Sequence, residues 1–160
     1  MADFRGVYSR GYLPHIDASE SSQFITWRLR DSLPSHLWSK VIAETEPLSE
    51  SQRVIERRKR CEAMLDEGHG EAILRNPLAA IAVVDSLFFA HGVRYALHAF
   101  AVMPNHVHCV LTLGLGEHLE TVMRTIKSFS AREINRVSDR TGPLWQREYY
   151  DRMIRDGEHL

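Results

Sequence analysis

The run from Tyr95 to Leu113 constrains the fold more than any other part of this chain. It is apolar and alternating, and it is interrupted once, at Pro104-Asn105. Proline presets the first turn dihedral and asparagine tolerates the next, so the spacing predicts a hairpin of strands Tyr95–Met103 and His106–Leu113. Side chains alternate across a strand. Val107, Cys109, Leu111 and Leu113 therefore form one apolar face, and His106, His108, Val110 and Thr112 form the other. A hairpin whose two faces differ this much needs a core on one side only.

The rest of the chain supplies that core. Gln23 to Leu29 alternates, with Ile25, Trp27 and Leu29 on one face, and is read as a strand. A short helix is expected from Pro34 or Ser35 up to Pro47. Ser49 to Glu67 follows as a longer helix, with Ser49 and Gln52 placed as a capping box and Gly68 and Gly70 at its end. Asn76-Pro77 opens another helix, to about His91. Glu117 to about Asp139 carries Leu119, Val122, Met123, Ile126, Phe129 and Ile134 near 3.6 spacing, an amphipathic helix. Trp145 to Ile154 reads as short and partly extended. Interleaved strands and helices with an antiparallel pair predict an α+β sandwich, a small antiparallel sheet with helices on one face. Residues 1–22 read as an irregular arm, and 23–160 as one domain.

Composition excludes several alternatives. The chain has 160 residues, 44% hydrophobic and 26% charged, so it fits one soluble domain with a core. Its two cysteines, Cys61 and Cys109, form no C-x-x-C and give neither a thiol zinc site nor a disulfide framework. Nine histidines can supply metal ligands instead. The start lacks a signal-peptide pattern, and the most apolar stretch, Leu78 to Ala90, is too short to span a membrane. A cytoplasmic protein is expected.

His106 and His108 project side by side from the polar face of their strand. Neutral imidazole is a common ligand for divalent metals, and two on one strand fix part of a coordination shell in advance. An H-x-H pair is also often just two half-exposed histidines. His98, alternating with Phe100 and Val102, is read as a satisfied core or supporting histidine.

The segment "MPNHVHCVL" resembles the His-hydrophobic-His motif of the HUH single-tyrosine transposases. Residues 11–34, "LHAFAVMPNHVHCVL" (97–111), "IKSFSAREIN" (126–135) and "GPLWQREYYDRMIRD" (142–156) resemble, in order and spacing, the branch associated with repetitive extragenic palindromes (REP). The resemblance implies a ferredoxin-like α+β sandwich. It implies that His106 and His108 are catalytic as ligands of Mg²⁺ or Mn²⁺, which polarises a scissile phosphate of single-stranded or hairpin DNA. A tyrosine would attack that phosphorus, leaving a 5′-phosphotyrosine and a free 3′-hydroxyl, so the strand can be rejoined without ATP. The family's tyrosine and a metal-binding asparagine follow the "WQR…IRD" block in a run resembling Y-I-x-N-N-P. This chain reaches Leu160 without them, and Asp156 and Glu158 look like the opening turn of a helix. A C-terminally truncated product is the expectation. Tyr149 and Tyr150 are candidate substitute nucleophiles, with packing or DNA contact as the alternative; Tyr8, Tyr12 and Tyr95 are weaker.

The net charge of −1 hides a local imbalance. Thr121 to Arg155 holds eight basic residues against four acidic ones. Arg124, Lys127, Arg132, Arg136, Arg140, Arg147 and Arg152, with Trp145 among them, form a candidate DNA-binding set. Arg132, Arg136 and Arg140 recur every four residues and could line one helix side, neutralising phosphates. Trp145, Tyr149 and Tyr150 suit stacking on unpaired bases. A solvated helix face with core aromatics fits the same residues. The run Arg57-Arg58-Lys59-Arg60 is read as a solvated face.

Three functions follow. The first is a transposase-type enzyme on single-stranded or hairpin DNA, monomeric or homodimeric, cytoplasmic and associated with the nucleoid. The second is a non-catalytic hairpin-binding module. The third, an unrelated metal hydrolase, would need further ligands that no motif places.

Overall fold

The computed structural model describes residues 4–9, 14–18 and 21–154. The chain runs β1 (Phe4–Ser9), β2 (Pro14–Ala18), β3 (Ser22–Arg28), α1 (Ser35–Thr45), α2 (Glu50–Asp66), α3 (Pro77–Phe88), β4 (Tyr95–Val102), β5 (His106–Leu113), α4 (Leu119–Val137) and β6 (Tyr150–Met153), with a 3-10 turn at Ile73–Arg75.

The main sheet has the order β4-β5-β3-β6 with every neighbouring pair antiparallel. Strand–helix–strand–strand–helix–strand wound in that order is the ferredoxin-like α+β sandwich. The apolar faces predicted for β3 and β5 meet in one core. Ile25, Trp27, Leu29, Val107, Cys109, Leu111 and Leu113 pack with Ala79, Val83 and Leu87 of α3 and Leu119, Val122, Met123, Ile126 and Ile134 of α4. Trp27 is 1% exposed and meets Trp145 edge-on, ring centroids 6.1 Å apart.

Local signals place the helices. Ser49 and Gln52 form the capping box of α2, and the Asn76 side chain caps α3 with Pro77 in its first turn. α3 and α4 cover the core face of the sheet. The expected one-sided layout needs one refinement. α2 stands over the other face, where Arg58, Glu62, Leu65 and Asp66 share a cavity with His106 and His108. Its apolar signal is short, with Met64 and Leu65 buried near its end.

The described residues of the expected irregular arm form two strands and the start of β3. β1 and β2 pair antiparallel, Val7 opposite Ile16 and Tyr8 opposite His15. Each strand is short, and the pairing has a register shift between Phe4 and Val7, so no clean alternation marks it in sequence.

The loop after α2 is fixed by a glycine. Gly70 has φ +82, and a Cβ there would lie 2.7 Å from the Asp31 carbonyl oxygen. The next amide, on Glu71, donates to Asp31 Oδ2 at 2.8 Å. Gly70→Ala therefore meets both a left-handed backbone and a backbone clash. A loss of about 1–3 kcal/mol is expected in urea unfolding. An unchanged midpoint would mean that the loop can move off Asp31 freely.

Candidate metal and phosphate site

The register of the sheet builds this site. Thr26 lies opposite His108 and Arg28 opposite His106, while Tyr150 of β6 lies opposite Thr26 from the other side. Opposed residues share a face. The histidines, Thr26 and Tyr150 therefore project from the same side of the sheet.

The imidazoles converge. His106 Nε2 and His108 Nε2 are 2.9 Å apart, with the rings nearly perpendicular. Their other nitrogens are engaged: His106 Nδ1 is 2.8 Å from Asn105 Oδ1, and His108 Nδ1 is 2.8 Å from Thr26 Oγ1. The Asn105 amide donates to the His69 carbonyl, which leaves its oxygen to accept from His106 Nδ1–H. His106 Nε2 then offers a lone pair. The Thr26 hydroxyl can donate or accept, so it serves either tautomer of His108. Phe24 stacks on the His108 ring at 5.4 Å between centroids.

Burial, then repulsion from His108, pushes the His106 pKa down to about 4, against a smaller upward pull from Asp66. Burial also lowers His108, opposed by Asp66 and Glu62. Both rings are thus neutral near pH 7, as ligands must be. Because the folded-state pKa of His106 lies below its unfolded value, an unfolded chain binds a proton there between pH ~6.5 and ~4 that the folded chain refuses. Stability is expected to be flat above that window and to fall as pH drops through it. Denaturation midpoints measured across the window, with His106→Gln as comparison, check this. An equal acid sensitivity in that variant would assign the loss to other groups.

Two nitrogens bound cis to one octahedral ion at ~2.1 Å lie ~3.0 Å apart, close to the observed Nε2 separation. The pair could therefore hold two adjacent positions of a divalent cation. Among the described residues, no three His, Cys, Asp or Glu side chains form a ready metal cluster. The histidines open into a cavity of about 420 Å³ lined also by Phe24, Arg58, Glu62, Leu65, Asp66, Val110 and Arg152.

Residues 88–156 match the family of IS200-like transposases. The matched stretch carries both histidines, α4 and β6, while Thr26 and all of α2 lie outside it. Two solved structures are similar in shape. One is a REP-associated tyrosine transposase bound to a REP hairpin, at 16% identity and a TM-score of 0.46; the alignment covers 95% of this chain and 64% of that one. The chain thus spans under two thirds of that protein's length. The other is a candidate transposase from Deinococcus radiodurans R1, at 14% identity and a TM-score of 0.43, covering 95% of this chain and 88% of that one. No curated protein matches in sequence.

The DNA-binding candidates divide. Arg152 pairs in register with Phe24 and lines the histidine cavity. Arg124, Arg132 and Arg147 are exposed. The expected stripe is broken up: Arg132 lies over the Phe129 ring, Arg136 pairs with Glu133 at 3.0 Å, and Arg140 pairs with Glu71. Arg140 also falls outside α4, which ends at Val137 before Asp139 turns left-handed at φ 49. Lys127 donates to the carbonyls of Gln146 and Arg147, both at 2.7 Å, and so pins the segment leading into β6.

Several expectations need correction. Trp145 and Tyr149 are 7% and 6% exposed in the core, so their rings are not open to bases. The Trp145 indole instead donates to Ser130 Oγ at 3.0 Å. Tyr150 is half-buried beneath Arg58, whose guanidinium carbon lies 4.2 Å from its ring centroid. Burial raises its hydroxyl pKa against the pull of Arg58 and Arg152, the reverse of nucleophile activation. The run Arg57 to Arg60 is a solvated face only in part: Lys59 is exposed, and the three arginines are half-buried and engaged. Arg57 bonds Thr45 Oγ1 at 2.7 Å and Glu46, Arg60 pairs with Glu44 and Glu56, and Arg58 reaches the cavity. His98 is exposed at a strand irregularity and satisfied by Thr112 Oγ1 at 2.8 Å. Tyr95 is buried and donates to the Leu87 carbonyl. Tyr12, the Tyr8 side chain and the chain's last residues, 155–160, lie outside the described residues.

Sequence reasoning missed Thr26, Arg58, Glu62 and Asp66 as neighbours of the pair. Only Asn105 carried a signal, since it directly precedes His106.

Among the described residues, no helix is long and apolar enough to cross a membrane.

Proposed function

We propose that this chain binds single-stranded or hairpin DNA as a transposase-type strand transferase, with Mg²⁺ or Mn²⁺ held by His106 and His108. One observation carries the reading: two imidazole Nε2 atoms 2.9 Å apart open into a cavity edged by Arg58 and Arg152, within a chain whose 88–156 segment matches IS200-like transposases. Neutral imidazoles suit a cation, and guanidinium groups suit phosphate oxygens. The bound cation would polarise a phosphate as a Lewis acid. The chain's own residues orient the reaction. Asn105 and Thr26 hold the two rings, Phe24 limits rotation of His108, and Arg58 and Arg152 grip the phosphate beside them. The hairpin as substrate rests on the resemblance of four segments to the REP-associated branch, and a protein acting on such DNA would associate with the nucleoid.

A second reading is a DNA-hairpin module without strand chemistry. It is favoured by the burial of Tyr149 and by the raised hydroxyl pKa of Tyr150. Labelled hairpin oligonucleotides incubated with the chain and Mn²⁺, then run on denaturing and native gels, separate the two. A labelled protein band under denaturing conditions, lost in His106→Ala and in Tyr150→Phe, supports the transferase within these 160 residues. A salt-sensitive native shift with no covalent band supports the module. Neither species would sink both readings.

A further inference from the structure

We infer that Asp66, the last residue of α2, is a third ligand of the divalent cation held by His106 and His108; this rests on the cation reading of the pair proposed above. Asp66 Oδ1 lies 3.9 Å from His106 Nε2, and its side chain lines the same cavity. Cis ligands of one octahedral ion stand ~3.0 Å apart, so a shift of about 1 Å brings the carboxylate into the shell. The Asp66 side chain is 68% exposed and can make that shift by changing rotamer.

The electrostatics of α2 point the same way. A helix C-terminus carries partial negative charge, and basic residues favour it. The last turn of α2 has no basic residue, yet it ends on Asp66 with Glu67 at its cap. Carboxylates in that place are unfavourable unless a cation neutralises them. Glu62, one turn earlier, already meets a cation, since Arg58 Nε donates to it at 3.0 Å. Asp66 faces the histidines instead. A hard divalent cation with imidazoles on one side and a carboxylate on the other would have a mixed N/O shell suited to Mn²⁺. The helix that supplies the carboxylate lies outside residues 88–156, so this ligand would come from beyond the segment that matches the transposase family.

The test is Mn²⁺ binding to the full chain, read by loss of the free-ion electron paramagnetic resonance signal, without DNA. Four proteins are compared: the wild type, Asp66→Asn, Glu62→Gln and His106→Ala. Asp66→Asn is expected to weaken Mn²⁺ binding by 10- to 100-fold with an unchanged unfolding midpoint, and Glu62→Gln by less than about threefold. If His106→Ala abolishes binding while Asp66→Asn binds like the wild type, Asp66 is no ligand and only this inference falls. It falls too if Glu62→Gln alone weakens binding. If His106→Ala binds like the wild type, the cation reading of the pair fails and takes this one with it.

Discussion

His106→Ala is expected to abolish the stabilisation of this protein by Mn²⁺. The cation is proposed to lie between His106 Nε2 and His108 Nε2, so removing one ring removes one of two imidazole ligands. Groups that only orient a ligand change affinity by about 10–100-fold, and loss of the ligand itself should cost at least that. A ligand at 100 times its dissociation constant stabilises the folded state by about 2.7 kcal/mol. Wild-type melting temperature should therefore climb with Mn²⁺, while that of the variant stays flat. The substitution also has a cost without metal. Asn105 Oδ1, fully buried, loses its partner inside the site, at about 1–3 kcal/mol for a buried polar group left unpaired. Thermal scans with and without Mn²⁺ separate the two effects. An equal Mn²⁺-dependent rise in both proteins would mean that the ion binds elsewhere.

The largest expected loss of stability follows Trp27→Ala. β3 is an interior strand between β5 and β6, and Trp27 is 1% exposed on its core face. Truncation removes the edge contact with Trp145 and leaves a cavity between the sheet and the helices. Such changes cost about 3–5 kcal/mol, a large share of the 5–15 kcal/mol typical of a domain. Val93→Ala, at a position 84% exposed, should stay within about 0.5 kcal/mol and serves as the control. Urea unfolding monitored by circular dichroism measures both. A loss under about 1 kcal/mol for Trp27→Ala would show that the core can close over the gap.

The two substitutions probe opposite faces of one sheet. Trp27 belongs to the layer that holds the strands flat against α3 and α4. His106 belongs to the layer that those strands present to α2. If the core layer loosens, the register that sets Thr26 opposite His108 loosens with it. Trp27→Ala is therefore expected to weaken Mn²⁺ binding as well, without touching any ligand.

Whatever depends on neighbours along the chain was legible from the residues alone. The hairpin of β4 and β5, the two unlike faces of β5, the capping box of α2 and the asparagine cap of α3 each follow from dihedral preference or from a period of two or 3.6 residues. The side-by-side projection of His106 and His108 is of the same kind. What lies across from them is set by the packing of distant elements. Thr26 reaches His108 through the antiparallel register of β3 with β5. Asp66 and Arg58 reach the cavity because α2 folds over the sheet face away from the core. Arg140 meets Glu71 because α4 stops before it, and Trp145 and Tyr149 turn inward because the segment entering β6 needs apolar anchors against α4. None of these pairs is close in sequence, and no period links them. A local pattern records which way a side chain points, whereas its partner is chosen by the packing of elements far apart in the chain.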